Sequence, residues 1–258
     1  MTINPPSLIH HIEELAANAW PAAVMQTIDG WRLRFSWNVT RRANSVWPNG
    51  AGNSHILAQK LDWVEAFYAR WGGPARYQIC PAAQPSDLDA VLEARSYITE
   101  ALTAVQHAPL AVVLKNTNSE RAASVTVSET FSPEWFAAYC EAESVGEEEA
   151  RGRRGILGRI GPRVGYALVR QEGRVVGMGL AVMERGFVGI YNMTTHPDFR
   201  RQGLASAALY ALAAWGKANE ATHMYLQVME NNAPAKALYG KVGFETLYHY
   251  HYRTFKPR

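Results

Sequence analysis

The sequence predicts an α/β (α+β) fold, with a mixed, mainly antiparallel sheet flanked by helices, and two observations carry this prediction. Strand-like and helix-like segments alternate along the chain, and three strand-like runs follow one another closely in the second half. The two halves also share an order of elements: a strand, a loop, a long helix, a strand with a central glutamine and a short helix. The sequence therefore predicts a tandem duplication, and a chance likeness of element order is the alternative.

Composition sets the outer bounds. The chain has 258 residues, of which 48% are hydrophobic and 19% charged, which is enough for two modest cores. It contains no apolar run long enough to span a membrane and no export signal at its start. Its two cysteines, Cys80 and Cys140, form no close pair, which is typical of a reducing compartment. With a net charge of only +3, we expect a cytoplasmic protein without a membrane or nucleic-acid partner.

The first half shows helical and strand periodicities in alternation. Apolar residues recur at helical spacing in two segments, and apolar and polar residues alternate in the segments between them. The predicted elements are a helix Ile9–Trp20, strands Trp31–Phe35 and Ala43–Trp47, a helix Ile56–Trp71, a strand Tyr77–Cys80, a helix capped by Ser86, and strands Ala101–Gln106 and Leu110–Leu114.

The second half has clearer boundaries. Ser132 followed by Pro133 predicts the start of a helix, since serine is a preferred N-cap and proline fits the first turn. The glycine- and arginine-rich stretch Arg151–Arg163 predicts a mobile loop. The elements expected after it are an antiparallel meander of three strands (Gly165–Arg170, Arg174–Met183 and Phe187–Thr195), a helix Leu204–Ala218, a strand Met224–Val228, a helix Pro234–Tyr239 and a strand Thr246–Thr254.

The segment His196–Ser206 carries the most chemical information. It leaves an apolar strand, passes through a loop with two arginines, and enters an alanine-rich helix. The first turn of a helix has unpaired backbone N–H groups and the positive end of the helix dipole, which together attract phosphate groups. Gly203 allows a ligand to approach the backbone, and Arg200 and Arg201 add positive charge. The segment therefore predicts a phosphate or diphosphate site.

Two motifs resemble those of a known superfamily. Arg200-x-x-Gly203-x-Ala205, after the turn Thr195–Pro197, resembles the acetyl-CoA pyrophosphate motif of the GNAT superfamily of acyl-CoA N-acyltransferases. Asn232-x-x-Ala235-x-x-Leu238-Tyr239 and then Gly243-Phe244 follow in the order that this family shows. The resemblance covers roughly residues 125 to 255 and implies a sheet that opens between its fourth and fifth strands.

The resemblance also implies a reaction and a role for each matching residue. Acetyl-CoA would be the co-substrate, and a primary amine would attack the thioester directly through a tetrahedral intermediate. The backbone of Met193 and Thr195 would pair with the pantetheine arm, Asn232 would contact that arm, and the Met193 N–H would stabilise the oxyanion. Tyr239 would also contact the coenzyme and would protonate the departing thiolate. The residues implied for the pyrophosphate are Arg200, Arg201, Gln202, Gly203, Leu204 and Ala205.

The resemblance divides the chain into a degenerate GNAT-like domain, residues 1–120, and a catalytic GNAT domain, residues 121–258. In the first domain the loop Pro48–Asn53 lacks arginines, and Glu93 lies near the position that matches Tyr239. We therefore expect no catalysis there.

Several alternatives stay open. The strand Gly189–Met193 offers no carboxylate and Glu184 lies at a hairpin end, so the general base is unassigned. His249 and His251 share a strand face but lack a third ligand, so no metal site is predicted. The acceptor would be a small amine or a peptide, and the protein a monomer or homodimer. A non-catalytic acyl-CoA sensor is the alternative function.

Overall fold

The computed structural model describes residues 5–117 and 124–255. This part of the chain forms two compact units. The first contains the residues up to Ala104, the segment Gly155–Arg159 and the residues from Tyr248 onward, and the second contains Val105–Arg154 and Ile160–Leu247. The domain boundary expected between residues 120 and 121 lies outside the described residues.

The first unit contains short strand pairs and one apolar core that its strands and helices share. Its elements are α1 (Pro5–Ala19), β1 (Val24–Ile28), β2 (Trp31–Phe35), α2 (Leu57–Arg70), β3 (Arg76–Ile79) and α3 (Leu88–Ala94). Strands β1 and β2 form an antiparallel hairpin, and β3 pairs antiparallel with His251–Thr254. Side chains from every one of these strands and from α2 and α3 meet in one hydrophobic cluster that includes Leu33, Val64 and Tyr77.

The second unit contains the predicted meander. Its elements are α4 (Leu110–Asn116), β5 (Val125–Ser128), α5 (Pro133–Ala142), β6 (Arg163–Gln171), β7 (Arg174–Glu184), β8 (Phe187–Thr195), α7 (Leu204–Ala218), β9 (His223–Met229) and α8 (Ala233–Lys241). Three further elements, β4 (Ile98–Pro109), α6 (Glu147–Leu157) and β10 (Glu245–Thr254), have residues in both units.

The strands of the second unit follow the order β9-β8-β7-β6-β5. Only β8 and β9 are parallel in this run, and the other neighbours are antiparallel. Helix α7 contacts β5 to β8 through a buried face of small and aliphatic side chains. The predicted mixed, mainly antiparallel sheet flanked by helices is therefore confirmed.

Local rules account for several of the elements predicted from sequence. The Ser132 hydroxyl accepts a hydrogen bond from the Trp135 N–H at 3.0 Å and caps α5, as expected. Helix α7 begins and ends where the alanine-rich pattern predicts, at Leu204 and Ala218. Within the described ranges, no helix combines the length and apolar character needed to cross a bilayer.

The strand predicted at Ala43–Trp47 is wrong. Only isolated bridges form there, at Val46 and Trp47. The cause is Asn44, which is buried and whose side-chain oxygen accepts hydrogen bonds from two N–H groups of the preceding turn, at Ser36 and Asn38. Its amide nitrogen donates to carbonyls of the same turn, so the side chain replaces a strand ladder with a local network.

Three further predictions of secondary structure are wrong. The segment Leu110–Leu114 is helical, because a short apolar run does not reveal its period and here Leu110 and Val113 are buried at helical spacing. Most of the stretch expected as a mobile loop belongs to α6, where Arg153 pairs with Glu149 one turn earlier. Ser86 does not cap α3, whose N-cap residue is Asp87.

Candidate functional site

Strands β8 and β9 separate partway along their length. They are in parallel register from Phe187 opposite His223 to Ile190 opposite Leu226, and the register ends there. The hydroxyls of Tyr191 and Tyr225 are hydrogen-bonded at 2.9 Å just past this point, and both rings are buried. The last part of β8, from Tyr191 to Thr195, therefore has a strand edge that β9 does not cover.

A β-bulge shapes this uncovered edge. In the pairing of β7 with β8, Met178 lies opposite Thr194 and Leu180 opposite Tyr191, so Asn192 and Met193 both face Gly179. Asn192 has a φ of 49°, in the left-handed region. A side chain at Gly179 would overlap the Met193 sulfur, so this glycine makes room for the bulged residue.

A buried tryptophan fixes the opposite side of the bulge. The indole N–H of Trp135, on α5, donates to the Gly179 carbonyl at 3.1 Å. The Trp135 side chain is fully buried and stacks on Tyr139 with ring centroids 5.5 Å apart. The bulge is therefore held from α5 as well as by its own strand pair.

The loop after β8 presents backbone and charge to solvent. It begins with a 3₁₀ turn, Pro197–Phe199, and the Nε of Arg200 donates to the Thr195 carbonyl at 3.2 Å. Arg201 and Gly203 both have positive φ, 61° and 80°. Gly203 is the N-cap residue of α7 and offers no side-chain cap, and the space where its Cβ would lie is open. The first turn of α7 therefore starts beside an open, arginine-flanked space.

A cavity of about 300 Å³ adjoins this loop within the second unit. It contains Thr195 and Arg200 of the predicted site. Its other walls come from the end of α5 and the turn after it, the start of β7, and the end of β8 with the loop after it. These residues are Ala138, Glu141, Ala142, Ser144, Val175, Val176, Gly177, Met178, Thr194, His196 and Pro197. A larger groove, of about 550 Å³, lies in the first unit between β1 and α2 and contains none of the predicted residues.

Tyr239 and Asn232 lie on α8, the helix that follows β9. Tyr239 is buried, packs edge-to-face on Phe244, and its pKa is raised to about 12 because burial disfavours the phenolate. Such a phenol keeps its proton at neutral pH. The Asn232 side-chain oxygen accepts from the Ala235 N–H at 3.2 Å, so this residue caps α8.

The chain thus brings Met193, Thr195 and the segment Arg200–Ala205 together on one β8–α7 connection. Sequence reasoning missed Asn192, Gly179 and Trp135, since no residue pattern marks a bulge or the distant indole that holds it. The residues present fit coenzyme A. An open space beside the first turn of α7 suits a diphosphate, and an uncovered strand edge suits the amides of a pantetheine arm.

One of the two histidines singled out on β10 lies against a carboxylate. His251 Nε2 lies 2.8 Å from Asp89 Oδ1, and Arg253 also bonds to this carboxylate. Nowhere in residues 5–117 and 124–255 do three or more histidine, cysteine, aspartate or glutamate side chains form a group that could hold a metal ion.

Solved structures with the same fold include N-acetyltransferases. A GCN5-related N-acetyltransferase from Kribbella flavida superposes with a TM-score of 0.68 at 15% identity, covering 100% of this chain and 97% of that one. A tandem GNAT protein from the clavulanic acid biosynthesis pathway gives a TM-score of 0.65 at 14% identity, covering 96% and 89%. The chain therefore has the fold of the GCN5-related N-acetyltransferases, the GNAT superfamily.

Sequence comparison narrows this class to a family. A family model described as "Probable histone acetyltransferase Rv0428c C-terminal" matches residues 6–255, and the chain belongs to that family. A relative from Bacillus subtilis, "Uncharacterized N-acetyltransferase YobR", is 29% identical over 248 residues, which is 95% of this chain and 98% of the relative. The protein is accordingly an acyl-CoA N-acetyltransferase.

Proposed function

We propose that the protein transfers an acetyl group from acetyl-CoA to a primary amine of a small molecule or peptide in the cytoplasm. The observation that carries this proposal is the continuity of two features on one segment. The edge of β8 that β9 leaves uncovered leads directly into the arginine–glycine loop at the start of α7. In coenzyme A the pantetheine arm is joined to the diphosphate, so the two groups would follow the strand edge and the loop in the same order.

Backbone groups and one side chain account for the binding of the diphosphate. The N–H groups from Arg201 to Ala205 open α7, where the helix dipole favours an anion, and Arg200 supplies a full positive charge. Arg200 to Gly203 are all exposed, so a diphosphate can reach them without displacing protein. The amides of the pantetheine arm would pair with the backbone of Met193 and Thr195 as an added strand, with Asn232 as a further contact.

The chemistry requires charge stabilisation and two proton movements. The amine nitrogen forms a bond to the thioester carbon, the carbonyl oxygen takes up negative charge beside the Met193 N–H, and the C–S bond then breaks. Tyr239 supports protonation of the thiolate, because a buried phenol with a pKa of about 12 is still protonated at neutral pH. The proton of the amine passes to solvent, since no residue is assigned as the base.

The first half of the chain is proposed as a degenerate domain, residues 1–120, beside a catalytic domain, residues 121–258. The contacts of Asp29 support the proposal that the first half does not bind a phosphate group. The Asp29 carboxylate accepts the Ser54 N–H at 3.1 Å and lies 3.4 Å from Lys60 Nζ, so an internal anion satisfies the loop that would otherwise receive a phosphate. The backbone of Gly50 lies close to that of Gly30, and the backbone of Gly52 lies close to that of Asp29, which closes that loop further.

Two measurements on the wild-type chain test the proposal. Calorimetric titration with coenzyme A is expected to show one binding event per chain, and a panel of amines with acetyl-CoA is expected to release free thiol with at least one acceptor. Binding without thiol release from any amine would support an acyl-CoA sensor instead. Absence of binding would overturn the proposal.

A further inference from the structure

We propose that the side-chain amide of Asn192 is a second donor to the carbonyl oxygen of the bound thioester, beside the Met193 backbone N–H. Asn192 is then a catalytic residue, because its Nδ2 touches the reacting carbonyl. This inference rests on the proposed acetyl transfer. It is carried by three observations on β8: the place of Asn192 in the strand, its backbone conformation and its unused donor.

The first observation is position. Asn192 lies two residues beyond Ile190, the last β8 residue in register with β9, and next to Met193. The bulge gives Asn192 and Met193 a single partner, Gly179, so consecutive residues at the uncovered edge are released from regular pairing. The two residues that would supply the donors therefore lie next to each other, on the part of the strand where the thioester is expected to lie.

The second observation is backbone conformation. Asn192 is not a glycine, yet its φ is 49°. Outside glycine this region carries a free-energy cost, although asparagine and aspartate tolerate it better than other residues. Trp135 supports the bulge from outside the strand, because its indole donates to the Gly179 carbonyl, and within β8 the Met193 sulfur packs against Gly179.

The third observation is an unused donor. The Nδ2 of Asn192 is buried and has no hydrogen-bond partner among the residues that the structure describes. Leaving a buried amide nitrogen unpaired costs free energy, so such atoms in native proteins call for a partner. A carbonyl oxygen of the acyl group, inserted at the strand edge, would supply that partner.

In the transfer step, both donors act on the same carbonyl oxygen. The amine lone pair forms the C–N bond, and the carbonyl electron pair moves to oxygen, where the Met193 N–H and Asn192 Nδ2–H hold it. That pair returns as the C–S bond breaks, and the sulfur takes a proton from Tyr239. Solvent removes the proton of the amine and restores the tyrosine.

A purely structural role for Asn192 is the competing explanation, because asparagine suits a left-handed φ. Two substitutions separate the roles. Asn192→Gly keeps the backbone conformation and removes the donor, and Asn192→Asp keeps both shape and conformation but replaces Nδ2 with an acceptor oxygen. Under a structural role both variants retain activity. Under the proposed role both lose turnover by about 10-fold to 100-fold.

The test has one readout that needs no amine acceptor. Affinities for acetyl-CoA and for S-ethyl-CoA, which lacks the carbonyl oxygen, are measured by calorimetry for the wild type and both variants. The wild type is expected to prefer acetyl-CoA by about 5-fold or more, whereas both variants lose the preference and keep their affinity for S-ethyl-CoA within about twofold. Infrared spectra of ¹³C-labelled acetyl-CoA should show a lower carbonyl stretch on the wild type than on either variant.

The outcomes distinguish this inference from the proposed function. If the wild type binds neither thioester nor thioether, the proposed function fails. If the wild type binds both but Asn192→Gly keeps its preference for acetyl-CoA and its carbonyl stretch, the Asn192 inference is overturned while the proposed function stands. Unchanged thermal melting of both variants is the control for folding.

Discussion

At the scale of single residues, Tyr239 tests the chemistry most directly. Tyr239→Phe removes one oxygen from a buried ring and keeps its packing on Phe244. We expect turnover to fall by about 10-fold to 100-fold, because protonation of the leaving thiolate is lost, while the affinity for coenzyme A changes by less than about twofold. Steady-state kinetics with calorimetry measure both quantities. Equal turnover would remove the tyrosine from the mechanism.

The raised pKa of Tyr239 determines how turnover should depend on pH. Burial raises this pKa to about 12, so the phenol stays protonated through the range in which an exposed tyrosine, near 10, would ionise. The wild type should therefore show no loss of turnover attributable to Tyr239 between pH 9 and about pH 11. A basic limb that disappears in Tyr239→Phe would contradict this.

A second residue, Glu13, matters for stability and could not be found from sequence. A glutamate on an amphipathic helix is normally taken as solvent-facing, yet Glu13 is only 1% exposed. Its carboxylate accepts hydrogen bonds from Trp47, Gln78 and Tyr248, and burial raises its pKa. The donors come from three separate stretches of the chain, so only the folded unit reveals the network.

Glu13→Ala should destabilise the first unit substantially, because it leaves three buried donors without their acceptor. We expect the free energy of unfolding to fall by about 3 kcal/mol or more, measured by urea denaturation. Glu14→Ala is the matched control, because Glu14 is the next residue on the same helix but is 36% exposed and pairs with His10 at 3.7 Å. This substitution should lower the free energy of unfolding by less than about 1 kcal/mol. Similar losses for the two variants would show that the network contributes little.

At the scale of elements, the start of α7 is the feature on which coenzyme binding depends. Gly203→Glu places an anion at the N-terminus of α7 at a φ of 80°, and we expect the affinity for coenzyme A to fall by more than about 100-fold. Gly203→Gln has the same size and the same backbone strain without the charge, so it should retain more affinity than Gly203→Glu.

Gly173 provides a control for backbone strain alone. It lies in the turn between β6 and β7 with a φ of 77°, and the space around its Cβ position is open, as at Gly203. Gly173→Glu should therefore cost similar stability while leaving coenzyme affinity unchanged. If calorimetry gave equal affinity losses at both glycines, the binding site at α7 would be wrong.

Elements were predictable where local patterns decide them. The meander and α7 follow from periodicity, short turns and helix propensity, and the cap of α5 follows from Ser132. The bulge in β8 was not predictable, because its causes are Gly179 on the neighbouring strand and an indole from α5. Helix α6 was missed because its stabilising pairs, such as Arg153 with Glu149 and Tyr139, overrode a glycine-rich composition.

At the scale of the whole molecule, the units are not continuous in sequence. Residues from Tyr248 onward belong with the first unit, where His251–Thr254 extend the pairing of β3 and Tyr248 bonds to Glu13. The repeated order of elements in the sequence suggests a single boundary between two halves. In the folded chain, packing decides which residues each unit contains. The order of elements could thus be predicted, but the membership of the terminal strand depended on long-range contacts.

The response of folding stability to pH also belongs to the whole molecule, because it sums over groups that titrate differently. His107 and His223 stack with ring centroids 5.1 Å apart, and His223 stacks on Phe187 at 5.0 Å. Burial lowers the pKa of both histidines below 6.5, and each charged ring would also repel the other. Both histidines are therefore neutral in the folded protein at neutral pH.

The sign of the effect follows from proton linkage. Well above pH 6.5 neither the folded nor the unfolded histidines bind protons, so the full stability is present. As the pH falls below 6.5, the unfolded chain takes up protons first, and stability is lost down to the lowered pKa of the folded pair. Glu13 acts in the opposite direction, since its raised pKa makes the folded chain bind a proton before the unfolded chain does as the pH falls toward 4.5.

His107→Gln separates the histidine contribution from the rest. The wild type should lose stability between pH 7.5 and pH 5.5, measured as the urea midpoint, and the variant should lose clearly less, because one titrating ring and its repulsion of His223 are gone. Each protein's midpoint is compared with its own value at the upper end of this pH range, so that the cost of the substitution itself cancels. An identical fall in the midpoint for wild type and His107→Gln would show that the stacked pair does not govern the acid response, and that carboxylates elsewhere in the chain must.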